Sequence, residues 1–318
     1  MPEPGSLARV PRHLAELARF AASRRARERE DAAAHRELAA ASESLPLPPG
    51  LEIEWLGVAG YRLSYEGQVL LIDPYLSRVP FRSVLRREPA LPDLATIDRF
   101  LPAGDRVVAI LIGHTHFDHA VDAPALARRH GCPVLGSRSL ANLMRLHGLG
   151  ERAIEVEPHR RYELGPFAVT FVPSVHSKLV LGLRVPYDGE LTCAHLDQLA
   201  PSAYRCGQVW GVHVEIAGAT LYHQGSADLL DHEISHFGVD VFLAGVAGRS
   251  FTPGYWKRIL PLLRPSVVVA SHYDNFFRPL DGPMGFAANV RLASVPEEVA
   301  SVSRDIEVAA LPSPAQLA

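Results

Sequence analysis

The sequence predicts an α/β fold, with sheets covered by helices, behind a helical N-terminal extension. Three observations lead there. Short alternating stretches between residues 51 and 72 read as hairpin strands. Strand and helix patterns then alternate along the chain, the order of a layered α/β domain. The run Val107-Val108-Ala109-Ile110-Leu111-Ile112 is apolar without a break, as a strand buried on both faces requires.

The extension covers residues 1–48 and the predicted domain residues 49–318. The first part is rich in Ala, Arg and Glu, and Leu14, Leu17, Ala18 and Ala21 recur at helical spacing. The mixed charges of residues 24–31 read as a solvated helix face. Leu45-Pro46-Leu47-Pro48-Pro49-Gly50 then breaks the helix. Strands are expected at 51–56, 61–65 and 69–72, with Glu66-Gly67 turning between the last two. After the 107–112 strand come a helix at 122–129 ended by Gly131, a strand at 133–135 and a helix at 139–146. Strands follow at 168–172, 209–216, 219–222, 241–244 and 267–270, with a helix at 254–263. Two stretches, 77–98 and 184–206, carry Pro and charge and read as insertions of the kind that form lids or binding loops.

With 318 residues the chain is long enough to bury a sizeable core, and 47% hydrophobic and 21% charged residues are ordinary for a globular protein. A net charge of −3 provides no general attraction to nucleic acid or acidic membranes. Cys132, Cys193 and Cys206 show no CxxC pairing, so neither a zinc knuckle nor a disulfide framework is expected, and the odd number fits a reducing compartment. No apolar run is long enough for a transmembrane segment, and charges interrupt every apolar stretch near the N-terminus. A cytoplasmic location is therefore expected.

The chemistry is concentrated in His114-Thr115-His116-Phe117-Asp118-His119, directly after the buried run and Gly113. Divalent ions such as zinc favour imidazole and carboxylate ligands clustered in space. Alternation lets His114 and His116 point the same way while Asp118 and His119 fall further round, dividing the ligands between two ions. An exposed polar loop is the plainer reading of a lone histidine. It is a poor account of three histidines and an aspartate within six residues.

This segment resembles the HxHxDH signature of the metallo-β-lactamase fold superfamily, and the likeness runs along most of residues 51–280. Its fold, an αββα sandwich of two mixed β-sheets flanked by helices, is what the resemblance implies here. Ile72-Asp73-Pro74 is similar to the motif whose aspartate supports the metal loop. Pro173-Ser174-Val175-His176 and Val269-Ala270-Ser271-His272 resemble the segments that contribute the remaining histidines. The order and spacing look like the branch of ascorbate-6-phosphate lactonase and N-acyl-phosphatidylethanolamine phospholipase D. Carried over by position, the resemblance implies His114, His116 and His176 on one ion, and Asp118, His119 and His272 on the other. Where the family has Gly-Asp-Thr, with an aspartate bridging both ions, this chain has Gly225-Ser226-Ala227-Asp228. A loop shift would bring Asp228 into the bridge. With Ser226 there instead, the second ion is held less well or completed by water; His223 is a rival ligand, although its place at a strand end reads first as packing.

The resemblance implies two divalent ions, zinc by default or manganese as in the lactonase-like branch, that would make a hydroxide nucleophile from water near neutral pH. Asp118 and His119 are the expected catalytic residues, Asp118 orienting the hydroxide. Tyr273, Asp274 and Asn275 are placed at the pocket mouth, where they bond substrate or hold the ligand rings in place, or else close a loop with Phe276 and Phe277. Lys178 can reach an anion near the metals. Arg78, Arg82, Arg86 and Arg87 read mainly as solvated side chains of a lid, and His130, His147, His159 and His195 as surface or structural.

The implied activity is hydrolysis of an ester-like bond (lactone, phosphodiester or phosphoester) in a small or lipid-like substrate. A nuclease of the same superfamily is the rival enzyme, but it needs a basic track that the sequence lacks, so no nucleic-acid partner is expected. A non-catalytic metal-binding sensor is the rival of another class. A homo-oligomer is compatible with all three.

Overall fold

The apolar run at 107–112 becomes an inner strand whose side chains divide between two hydrophobic layers. Ala109 and Leu111 enter the core between the sheets, whereas Val107, Ile110 and Ile112 enter a second core under the outer helices. The computed structural model describes residues 6–101, 104–234, 238–288 and 290–312. In chain order the elements are α1 (Ser6–Ala41), β1 (Glu52–Gly57), β2 (Gly60–Tyr65), β3 (Gln68–Ile72), α2 (Phe81–Arg86), α3 (Leu94–Phe100) and β4 (Arg106–Leu111). Next come α4 (Phe117–Ala120), α5 (Ala123–His130), β5 (Val134–Gly136), α6 (Arg138–Leu146), β6 (Ala153–Glu155), β7 (Arg161–Leu164) and β8 (Phe167–Ser174). The chain closes with β9 (Val209–Ile216), β10 (Ala219–Gln224), β11 (Val241–Gly245), α7 (Tyr255–Leu263), β12 (Val267–Ser271), α8 (Val295–Ala300) and β13 (Glu307–Ala310).

These strands form two mixed sheets, ordered β1-β2-β3-β4-β5-β6 and β13-β12-β11-β10-β9-β8-β7. Helices flank the pair, giving the expected αββα sandwich. The antiparallel hairpins β1–β2–β3 and β7–β8–β9–β10 lie at one side of each sheet, and parallel pairing takes over from β3 and from β10. Parallel strands share a direction, so the loops after β3, β4, β10, β11 and β12 emerge at common ends. That is where Asp73, the histidine cluster, Gly225 and His272 sit.

Every expected strand and helix has its counterpart, shifted by a few residues at most. The sequence reading missed β6, β7 and β13, which are short and carry exposed residues, so their apolar signal is weak. The 77–98 insertion also holds structure, namely α2 and most of α3, where Asp93 caps the helix by accepting the N–H groups of Ala95 and Thr96.

The second half of α1 is bound into the domain. Leu38 joins the core between the sheets. The 24–31 run is only partly a solvated face, because Asp31 is buried and accepts the Ala293 N–H at 2.9 Å. Glu30 pairs with Arg291 at 3.1 Å. No helix among the described residues is long and apolar enough to cross a membrane.

Candidate metal centre

The strand β4 delivers the ligands. Its run ends at Ile112, the Trp210 N–H donates to the Gly113 carbonyl at 2.8 Å, and the Thr115 N–H donates to Cys206 at 2.9 Å. Pinned between those neighbours, the chain presents His114 and His116 before turning into α4. His116 stands at the N-cap of that helix with extended backbone, and Asp118 and His119 fall in its single turn. His176 follows the end of β8 and His272 the end of β12. His272 has a left-handed backbone (φ 58°), uncommon for a residue with a side chain, and its N–H donates to the Val58 carbonyl at 2.7 Å.

Two groups result. The ligand atoms of His114, His116 and His176 lie within 4.8 Å of one another, and so do those of Asp118, His119 and His272. All six side chains are buried. The first three rings form a nearly equilateral triangle, with centroids 4.7, 4.9 and 4.8 Å apart. The His114 and His119 rings are 3.9 Å apart, which joins the two groups into one centre. Asp118 Oδ2 lies 3.8 Å from His119 Nε2 and 3.5 Å from His272 Nε2.

Hydrogen bonds fix which nitrogen of three rings is free. A carbonyl only accepts, so His116 Nε2–H donates to Pro186 at 2.8 Å and leaves Nδ1 with the lone pair. His176 Nδ1–H donates to the Ser177 carbonyl at 2.7 Å, leaving Nε2. His119 Nδ1–H donates to Asp73 Oδ2 at 2.8 Å, again leaving Nε2. Such partners orient metal-binding imidazoles and raise their basicity. His114 Nε2 is buried without a partner, a cost that a bound cation removes. The donor set therefore fits divalent metal.

Burial and neighbouring imidazoles push the His114 pKa well down, and burial lowers His116 to about 4 and His176 to about 3. Burial raises Asp118, yet the adjacent His119 and His272 hold its carboxyl well below the usual range. For His119 burial lowers the pKa, but Asp73 and Asp118 outweigh it and the net shift is upward.

Comparison with known proteins decides the family. A family model described as a β-lactamase superfamily domain matches residues 52–272. A UPF0173 metal-dependent hydrolase from Cereibacter sphaeroides is 30% identical over 202 residues, covering 63% of this chain and 81% of its own. One from Archaeoglobus fulgidus is 27% identical over 255 residues, covering 78% and 94%. The chain belongs to the metallo-β-lactamase superfamily. Among solved structures, Igni18, a metallo hydrolase from Ignicoccus hospitalis, is 18% identical at a TM-score of 0.52, covering 83% of this chain and 95% of its own. CmlA, a diiron β-hydroxylase from Streptomyces venezuelae, is 15% identical at 0.54, covering 84% and 54%. At those identities the likeness is one of fold.

In this metallo-β-lactamase-fold chain Asp73 supports the centre from behind. Its Oδ1 accepts the Gly113 N–H at 2.7 Å while Oδ2 holds His119. Gly225 packs against the same carboxylate, and a Cβ there would lie 2.8 Å from Asp73 Oδ2. Asp228 is the exception to the expected ligand set, because it belongs to neither group. Its Oδ1 accepts the Leu229 N–H at 2.9 Å and an Arg258 N–H at 3.2 Å. Ser226 is buried, with its hydroxyl oxygen accepting the Ser177 N–H at 3.1 Å. His223 lies behind Asp73 and donates to the Ala59 carbonyl at 2.9 Å, outside both groups.

Tyr273 departs from its expected place at the pocket mouth. It is fully buried, its hydroxyl bonds His35 Nδ1 of α1 at 2.8 Å, and its ring packs on Trp55. Asp274 is also buried and meets protein, not solvent: Arg78 donates to Oδ2 at 2.7 Å and the Val58 N–H to Oδ1 at 3.0 Å. Arg78 is accordingly no solvated lid residue. The Asp274–Arg78 pair grips the turn whose Val58 carbonyl holds His272. Lys178 is exposed and lines a cavity of about 780 Å³ together with His176, Asp228 and Arg258.

Three supports escaped the sequence reading. The carbonyls of Pro186 and Val58 carry no sequence signal. Asp122, three residues past His119, accepts the N–H groups of Leu76 and Ser77 and the Ser77 hydroxyl, tying the loop after Asp73 to the metal loop. Burial pushes its carboxyl up to about 6.

Proposed function

We propose that this chain hydrolyses an ester-like bond, in a lactone, phosphodiester or phosphoester, on a small or lipid-like substrate, using two divalent ions. Zinc suits the imidazole-rich set, and manganese is the alternative. The observation that carries the reading is the pair of buried three-ligand groups, side by side, with the free nitrogens of His116, His176 and His119 fixed by hydrogen bonds.

His114, His116 and His176 would hold one ion and Asp118, His119 and His272 the other. Bound divalent metal supplies Lewis acidity and a water that loses its proton near neutral pH. Asp118, kept anionic, would accept a hydrogen bond from the water and orient it. Asp73 fixes the His119 ring, and Asp274 with Arg78 fixes the backbone at His272. Burial of all six ligands excludes bulk water.

An aromatic cluster running from the surface to His272 supports the lipid-like end of the substrate range. The exposed Phe81 ring meets Phe277 at 5.1 Å, Phe277 stacks on Phe117 at 6.3 Å, and Phe276 stands 6.0 Å from His272. Metal analysis of protein purified without added metal, then a screen over lactones, bis-nitrophenyl phosphate and phospholipids, tests the proposal. Bound zinc or manganese with turnover of one class is expected. Full activity in a metal-analysed His116→Ala sample, or metal-loaded protein inert on the whole panel, would overturn it.

A further inference from the structure

We infer that the two ligand groups fill unequally: Asp118, His119 and His272 take the first divalent ion, and His114, His116 and His176 take a second far more weakly, because no carboxylate among the described residues bridges the two groups. The inference rests on the metal-binding reading above. A buried dication is stabilised by anionic ligands and destabilised by a neighbouring dication. The first group contains a carboxylate, Asp118, and has another, Asp73, 2.8 Å behind its His119. The second group is three imidazoles, of which His116 and His176 are backed by neutral main-chain carbonyls. With His114 and His119 rings 3.9 Å apart, ions in both groups would repel one another across a buried gap.

Two side chains are near enough in sequence to relieve that repulsion, and neither does. The Asp228 carboxylate is matched by Arg258 at 3.2 Å and by the Leu229 N–H. Turning it inward would break both bonds, while Arg258 would keep only Asp231 and the Leu229 carbonyl. Ser226 is uncharged, and its oxygen already accepts the Ser177 N–H next to His176. It steadies one ligand and adds no negative charge.

Calorimetric titration of metal-free protein with Zn²⁺, checked by equilibrium dialysis, reads the difference directly and needs no substrate. One equivalent is expected to bind tightly and a second about 100-fold more weakly. His114→Ala should abolish the weak step and leave the tight one. Asp228→Asn should leave both unchanged, and Ser226→Asp should strengthen the second step about tenfold or more. Two equivalents of near-equal affinity would overturn the inference while leaving the hydrolase reading intact. So would loss of the tight step in His114→Ala, or a tenfold weakening of either step in Asp228→Asn. Protein that binds no metal at all defeats both readings. If Ser226→Asp fails to fold, the wild-type titration and Asp228→Asn still decide the matter.

Discussion

The two ligand groups share burial, strand-end placement and histidine, yet they differ in the charge around their rings. In the His114, His116 and His176 group every pKa is pushed down, chiefly by burial, so the rings stay neutral. In the other group, with Asp73 behind it, His119 is shifted up and Asp118 down, so cation and anion favour each other. One set is an uncharged cradle and the other a charged one. Two sites of similar shape can thus present different fields to the same ion, and the difference comes from what stands behind each ring.

Acidification breaks that comparison most forcefully. His116 and His176 sit at about 4 and about 3 in the fold against 6.5 for a free imidazole, so the unfolded chain takes up protons first. Their contribution is complete above pH 6.5 and disappears as pH falls towards 3. His119, shifted up, works oppositely: its share is present below 6.5 and lost above its raised value. Three depressed rings stand against one raised ring. Urea unfolding of metal-free protein should therefore show several kcal/mol lost on acidification, more than any single change below; a flat profile from pH 7 to 4 would contradict it.

Substitutions sharpen the contrast in descending order. Asp274→Ala strands the Arg78 guanidinium in a pair that is only 4% and 5% exposed. A loss of about 3–5 kcal/mol in urea unfolding is expected. Asp73→Asn removes the charge behind His119 and should weaken the tighter zinc step about 10–100-fold by calorimetry, with the weaker step changed much less. Tyr273→Phe deletes only the hydrogen bond to His35 and should cost about 1 kcal/mol with turnover unaltered. A large fall in kcat there would return Tyr273 to the substrate pocket.

Most of the fold was legible because burial writes itself into periodicity. Residues 107–112 are apolar throughout and line two cores, and Gly131 ends α5 with a left-handed cap. The metal cluster was legible for another reason, since ligands so close in sequence have little room to diverge. Tyr273 misled because adjacency to His272 was read as a shared direction. Neighbours at a strand end point to opposite sides, so Tyr273 faces α1 while Asp274 meets the Val58 turn beside His272. Asp228 misled through a two-residue offset. The tight turn between the Asp228 N–H and the Ser226 carbonyl aims the carboxylate at α7. The carbonyl props at Pro186 and Val58 belong to backbone geometry, which residue identity does not encode.

The long first helix does more than lead into the domain. Through His35 it leans on Tyr273, the next residue after His272, and through Leu38 it plugs the space where the sheets meet. A shortened chain beginning at residue 49 would leave the Trp55 and Tyr273 rings facing water behind His272. The leading segment is a buttress behind His272, and trimming it for expression would remove masonry rather than a tag.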